Sequence, residues 1–195
     1  MNQSKIYIGD KEASFGAKDT QGQLISFENE NYYKISNSDG MRPFFMSIVS
    51  DSNHWMFISS NGGVSAGRKD SGSSLFPYYT DDKITESSDI TGSKTIIQLH
   101  EKGKTYLWEP LSDKYVGVYK TQRNLYKNSL GNKVVFEEIN EDLGLTFRYQ
   151  WNSSNQFGFV KKSTLLNNTK EDLEVTVLDG IQNIVPYGIS EDLQN

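Results

Sequence analysis

The stretch from Asn61 to Asp82 gathers the side chains that sugar recognition uses. Phe76, Tyr78 and Tyr79 are rings on which the C–H face of a sugar can stack. Arg68, Asp70, Asp81 and Asp82 supply paired, directional hydrogen bonds of the kind that neighbouring hydroxyls satisfy. Gly62, Gly63 and Gly67 would let backbone come close to a ligand or to a neighbouring domain. These seven side chains are the candidate carbohydrate-binding or interdomain residues. The competing reading is an inter-strand loop whose tyrosines pack on a sheet edge. Gly62 to Lys69 lacks the Gly-Lys-Ser/Thr ending of a phosphate loop and precedes no helical pattern, which argues against a nucleotide.

Acid–base and metal chemistry find less support. The chain has no cysteine and two histidines, His54 and His100. That excludes a disulfide framework, a thiol nucleophile and cysteine-ligated zinc, and disfavours a multi-histidine metal site. Both histidines sit at strand ends, and neither has a visible proton-transfer partner. A carboxylate pair for glycoside hydrolysis could be drawn from Asp81, Asp82, Glu137, Glu138, Glu141, Asp142 or Asp179, but no spacing singles one out. Glu137 to Asp142 reads as the solvated end of a hairpin. Asp81-Asp82 lacks the spread of oxygen ligands that calcium requires. No catalytic residue, metal ion or cofactor is assigned. Trp55, Trp108 and Trp151 read as core residues, although an exposed tryptophan on a sheet face would be a binding platform.

The elements that must position these residues are strands. The chain has 195 residues, a net charge of -5 and 12% aromatic residues, a length that fits one domain. The acidic balance argues against a nucleic-acid partner. No apolar run approaches the roughly 20 residues of a membrane-spanning helix. Met1 to Asp10 lacks the apolar centre of a secretory signal, so the cytoplasm is expected. Alanine occurs only at 13, 17 and 66, while Tyr, Phe, Ile, Val and Thr abound, a strand-favouring bias. Hairpins are predicted for 23–35, 44–59 and 95–108, with a further strand over 115–119 and another hairpin over 124–137. Thr146 to Trp151 alternates, placing Phe147, Tyr149 and Trp151 on one face and Arg148 and Gln150 on the other. Strand patterns continue over 157–166 and 173–179, and Asn152-Ser153-Ser154 and Asn167-Asn168-Thr169 read as turns. The fold expected is all-β, an antiparallel two-sheet sandwich. Asp179 to Gly188 is apolar and calls for burial.

Two segments resemble the N-terminal β-sandwich region of cellobiose phosphorylase-type glycoside phosphorylases. One runs from Ser59 through the glycine-rich strand to Asp82. The other is Phe159 to Leu178, a strand, an Asn167-Asn168-Thr169 turn with charged residues, and a returning strand. The resemblance implies a galactose mutarotase-like super-sandwich of two large sheets. It also implies a non-catalytic front domain of a glycoside phosphorylase- or hydrolase-like enzyme, preceding a helical catalytic domain. On that reading residues 1–180 are the sandwich and 181–195 begin a linker, with an oligosaccharide and the downstream domain as partners. An exposed apolar patch at Ile181, Ile184, Val185 and Tyr187 is then expected as the docking surface. Two alternatives make other predictions. A freestanding carbohydrate-binding module needs a row of exposed aromatics on one sheet face. A homodimer contact needs a symmetric interface above about 1,000 Å².

Overall fold

A computed structural model describes residues 6–8, 11–13, 18–77, 81–186 and 188–189, with backbone alone at 6–8, 11–13, 81 and 82. The described residues form an all-β, antiparallel sandwich. Its strands are β1 (Ile6–Ile8), β2 (Lys11–Ala13), β3 (Gln21–Phe27), β4 (Glu30–Ser36), β5 (Phe45–Ile48), β6 (His54–Ser59), β7 (Val64–Arg68), β8 (Gly92–Glu101), β9 (Lys104–Trp108), β10 (Thr121–Asn128), β11 (Lys133–Asn140), β12 (Leu145–Ser154), β13 (Gly158–Asn167) and β14 (Glu174–Gln182). One four-residue helix, α1 (Asp81–Ile84), interrupts them.

Local chemistry sets the hairpins. Glu28 and Asn29 turn β3 into β4 with φ of 48° and 65°, and Lys102 and Gly103 turn β8 into β9 with φ of 51° and 76°. Two left-handed residues in a two-residue loop match the right-handed twist of the strands they join.

One layer is a six-stranded sheet in the order β13-β12-β11-β10-β4-β3. The other layer is divided into two three-stranded sheets, β14-β8-β9 and β5-β6-β7. The expectation of two large sheets is met on one side only. Inward side chains of all three sheets share a single core, including Met46, Ile58, Ile97, Trp108, Phe136 and Trp151. The alternation read over Thr146–Trp151 is realised: Phe147, Tyr149 and Trp151 are buried in that core, while Arg148 and Gln150 lie on the other face.

Of four local expectations, two are corrected, one is met and one is met in part. Tyr115–Tyr119 is not a strand: a 3-10 turn (Asp113–Tyr115) is followed by Gly117 at φ 81°. Its alternating apolar residues are overruled because this connection carries the chain from β9 in one layer to β10 in the other. Asn152–Ser154 is not a turn but the last part of β12, paired with β13. Asn167–Thr169 is a turn, closed by Asn167 Oδ1 accepting from the Thr169 backbone N–H at 2.8 Å. The Asp179–Gly188 segment is only partly covered: Ile181 and Ile184 are exposed and Val185 is half-buried. β14 is an edge strand: among the described residues no strand pairs with one side of it, and Lys161 of β13 donates to the Asp179 carboxylate and the Gly180 carbonyl. Tyr187 lies outside the described residues.

Candidate functional site

The glycine-rich strand and its loop serve chain packing first. β7 continues into a loop that folds back along it: Leu75 N–H donates to the Ala66 carbonyl at 2.7 Å, and Gly67 bridges to Ser74. A Cβ at Gly63 would collide with the Ile84 carbonyl and Ser87 Oγ. Asn61 Nδ2 donates to the Thr85 carbonyl at 2.7 Å, holding the same turn. The close approach that glycine permits is therefore taken by residues 84–87 of this chain. Phe76 is fully buried and meets Trp151 edge-on with centroids 6.3 Å apart. Its ring has no face for a sugar, which corrects its place among the stacking candidates. It is drawn inward because β7 and the returning loop form one wall of the core. Tyr78 and Tyr79 lie outside the described residues, and Asp81 and Asp82 are described by their backbone in α1. Arg68 and Asp70 are exposed.

Asp70 leads to a surface that sequence reasoning missed. Its carbonyl accepts from Trp55 Nε1 at 3.3 Å. Along β6, Met56 and Ile58 enter the core, so Trp55 and Phe57 face outward. Trp55 is half-buried on this outer face, which corrects its assignment to the core; Trp108 and Trp151 are core residues as expected. On β5, Met46 and Ile48 point inward and Phe45 points outward. The three outward rings form a row: Phe45 to Phe57 is 5.2 Å between centroids at 40°, and Phe57 to Trp55 is 5.7 Å at 36°. Opposite Trp55 stands Gly67, where a Cβ would strike the indole. Phe45 is 44% exposed at the far end. The segment Trp55-Met56-Phe57-Ile58 is apolar at both parities, so alternation could not reveal which pair faces out.

The carboxylates at 137 and 138 are not solvated. β11 is an inner strand, and both are buried. Being successive residues, they project from opposite faces of the sheet. Glu137 Oε1 accepts from Asn124 Nδ2 and the Tyr126 hydroxyl, each at 2.7 Å, and Oε2 pairs with Arg148 on β12. Burial pushes the Glu137 carboxyl up, and the hydrogen bonds from Tyr126, Asn124 and Arg148 outweigh it, leaving it below the ordinary glutamate range. Phe27 covers this cluster, stacked on Tyr126 at 5.4 Å and lying 5.3 Å from the Arg148 guanidinium.

On the inner face, Glu138 accepts from Trp108 Nε1 (2.7 Å), Leu111 N–H (2.9 Å) and Arg123 Nε (2.7 Å). Arg123 also donates to Asp113 and to the Ser112 carbonyl, each at 2.6 Å. A cleft of about 340 Å³ opens beside this cluster. In its wall, Glu109 takes hydrogen bonds from Lys94 and, at 3.4 Å, from Lys114. These charges already satisfy one another. Glu137 and Glu138 cannot flank one substrate because the sheet separates them.

The histidines are held locally. His100 Nδ1 and Nε2 lie 3.2 and 3.1 Å from the hydroxyls of Thr105 and Thr176. His54 Nδ1 lies 2.7 Å from Ser52 Oγ. Among the described residues no group of three or more His, Asp or Glu side chains gathers to hold a metal ion, and no helix is long and apolar enough to cross a membrane. No protein-family model and no curated protein matches the chain.

Proposed function

We propose that this chain is a non-catalytic, sugar-binding sandwich domain of a carbohydrate-active enzyme, phosphorylase-like or hydrolase-like, as its two resembling segments imply. The saccharide lies along Phe45, Phe57 and Trp55. The observation that carries the sugar-binding part of this reading, which a freestanding carbohydrate-binding module would share, is the row itself: three aromatic rings in contact on the outer face of a sheet whose inner face is core. Sugar rings present flat C–H faces, and aromatic rings offer them large apolar surfaces to bury. Asp70, whose backbone carbonyl accepts from Trp55 Nε1, is the nearby acid proposed to receive a hydroxyl. Supporting the docking of a further domain are the exposed apolar side chains of Val177 and Ile181, on one face of β14, and of Ile184 just beyond its end.

The test is calorimetric titration of the full chain with a panel of neutral gluco-oligosaccharides, beside Phe57→Ala. Affinity falling by about tenfold in the variant, close to 1.4 kcal/mol, supports the row. No heat with any sugar, or a variant that binds as the parent does, would overturn it.

A further inference from the structure

β6 and β7 carry a second feature on the side opposite the aromatic row. Side chains alternate, so His54 turns away from the face that Trp55 occupies, and Arg68, its register partner on β7, turns with it. Both line a groove of about 540 Å³ at the end of this sheet, walled by Ser74, Leu75, Phe157 and Phe159. Phe157, in the turn between β12 and β13, is 74% exposed.

The electrostatics of the groove are one-sided. Arg68 donates a single long hydrogen bond, from Nη2 to Asn53 Oδ1 at 3.4 Å, and among the described residues it has no carboxylate partner. No Asp or Glu lines the groove among the described residues, and its only ionisable side chains are Arg68 and His54. This occurs on a chain with a net charge of -5. The other arginines at the centre of the fold, Arg123 and Arg148, are each paired with a buried glutamate. A guanidinium left unpaired beside apolar walls is suited to a carboxylate, which it can grip with two parallel N–H donors. Phe157 and Phe159 provide apolar surface for a ring, and Ser74, Asn155 and Gln156 provide partners for hydroxyls.

We infer that this groove binds the carboxylate of an acidic saccharide, a hexuronate unit paired with Arg68 and walled by Phe157. The inference rests on the reading of the chain as a sugar binder. It adds a charge preference that the aromatic row does not supply.

The experiment compares a hexuronate-containing oligosaccharide with its carboxyl-reduced, neutral counterpart, titrated into the full chain, into Arg68→Gln and into Phe57→Ala. At low salt the acidic sugar should bind at least tenfold tighter, and the preference should shrink as salt screens the exposed pair. Arg68→Gln should abolish the preference and leave the unfolding midpoint unchanged. Equal binding of the two sugars, with Arg68→Gln altering neither, overturns the groove and leaves the aromatic row standing. Arg68-dependent binding of the acidic sugar that Phe57→Ala does not touch upholds the groove, and neutral-sugar binding that Phe57→Ala leaves unchanged overturns the row. Binding of neither sugar overturns both. Displacement of the acidic sugar by a simple aliphatic carboxylate at equal concentration overturns the saccharide assignment.

Discussion

Arg123, near the start of β10, donates from each of its three guanidinium nitrogens, to Glu138, to Asp113 and to the Ser112 carbonyl. Arg68, at the end of β7, has one long bond to Asn53 and faces an open groove. Both lie beside concave surface, and both have aromatic neighbours. They differ in saturation. Around Arg123 each buried charge has its complement within the chain, so a ligand entering the adjacent cleft would have to displace bonds already made. Around Arg68 a ligand would displace water. A cleft rich in ionic groups is therefore poor evidence for a ligand site when those groups satisfy one another, and a sparse groove with one unpaired cation is better evidence.

That contrast can be broken at several points. Removing Glu138 should have the largest effect, because it strands the half-buried Arg123 and frees the Trp108 and Leu111 donors. Glu138→Ala should cost about 3–5 kcal/mol in denaturant unfolding. A loss below about 1 kcal/mol would mean that the inner-face cluster is not the lock described. Phe76→Ala should cost a similar or slightly smaller amount, about 3–4 kcal/mol, because the ring fills core beside Trp151. Its sugar binding, measured where the variant remains folded, should be unaltered.

Acid should reach the outer-face cluster next. The folded Glu137 carboxyl titrates below its unfolded value, so its contribution is fully present above the ordinary glutamate range. That contribution is lost as pH falls through the lower, folded value. Tyr126→Phe removes one of the bonds that hold it low. At neutral pH the variant should lose about 1.5–3 kcal/mol, typical of a hydrogen bond to a charged group, and its stability should then decline less steeply in acid. Unfolding midpoints measured from neutral to acidic pH decide this, and identical slopes would contradict the assignment. The smallest effect is expected at Arg68→Ala, whose unfolding free energy should stay within about 0.5 kcal/mol of the parent. A larger loss would show that Arg68 is structurally engaged after all.

The strands were largely legible in the sequence. Turn pairs such as Lys102-Gly103, and the alternation of Thr146 to Trp151, report local backbone geometry directly. Where reading failed, a non-local contact had decided. Tyr115–Tyr119 alternates like a strand but lies in the crossing between layers, and Gly117 takes a left-handed φ there. Glu137 and Glu138 look like solvated acids until their neighbours on β10 and β12 are known. The candidate loop was legible in part. Arg68 and Asp70 are indeed exposed, Phe76 is not, and the partners that make Arg68 informative come from residues more than 80 positions further on.

By itself, the sequence determined that this chain would form antiparallel strands with tight turns, because alternation and left-handed turn residues act within a few positions. Only the tertiary structure decided which face of β6 meets water, which carboxylates find an arginine, and that Arg68 finds none among the described residues. Those outcomes depend on which strands become neighbours. Burial raises the cost of an unpaired charge only once the sheets have closed over it.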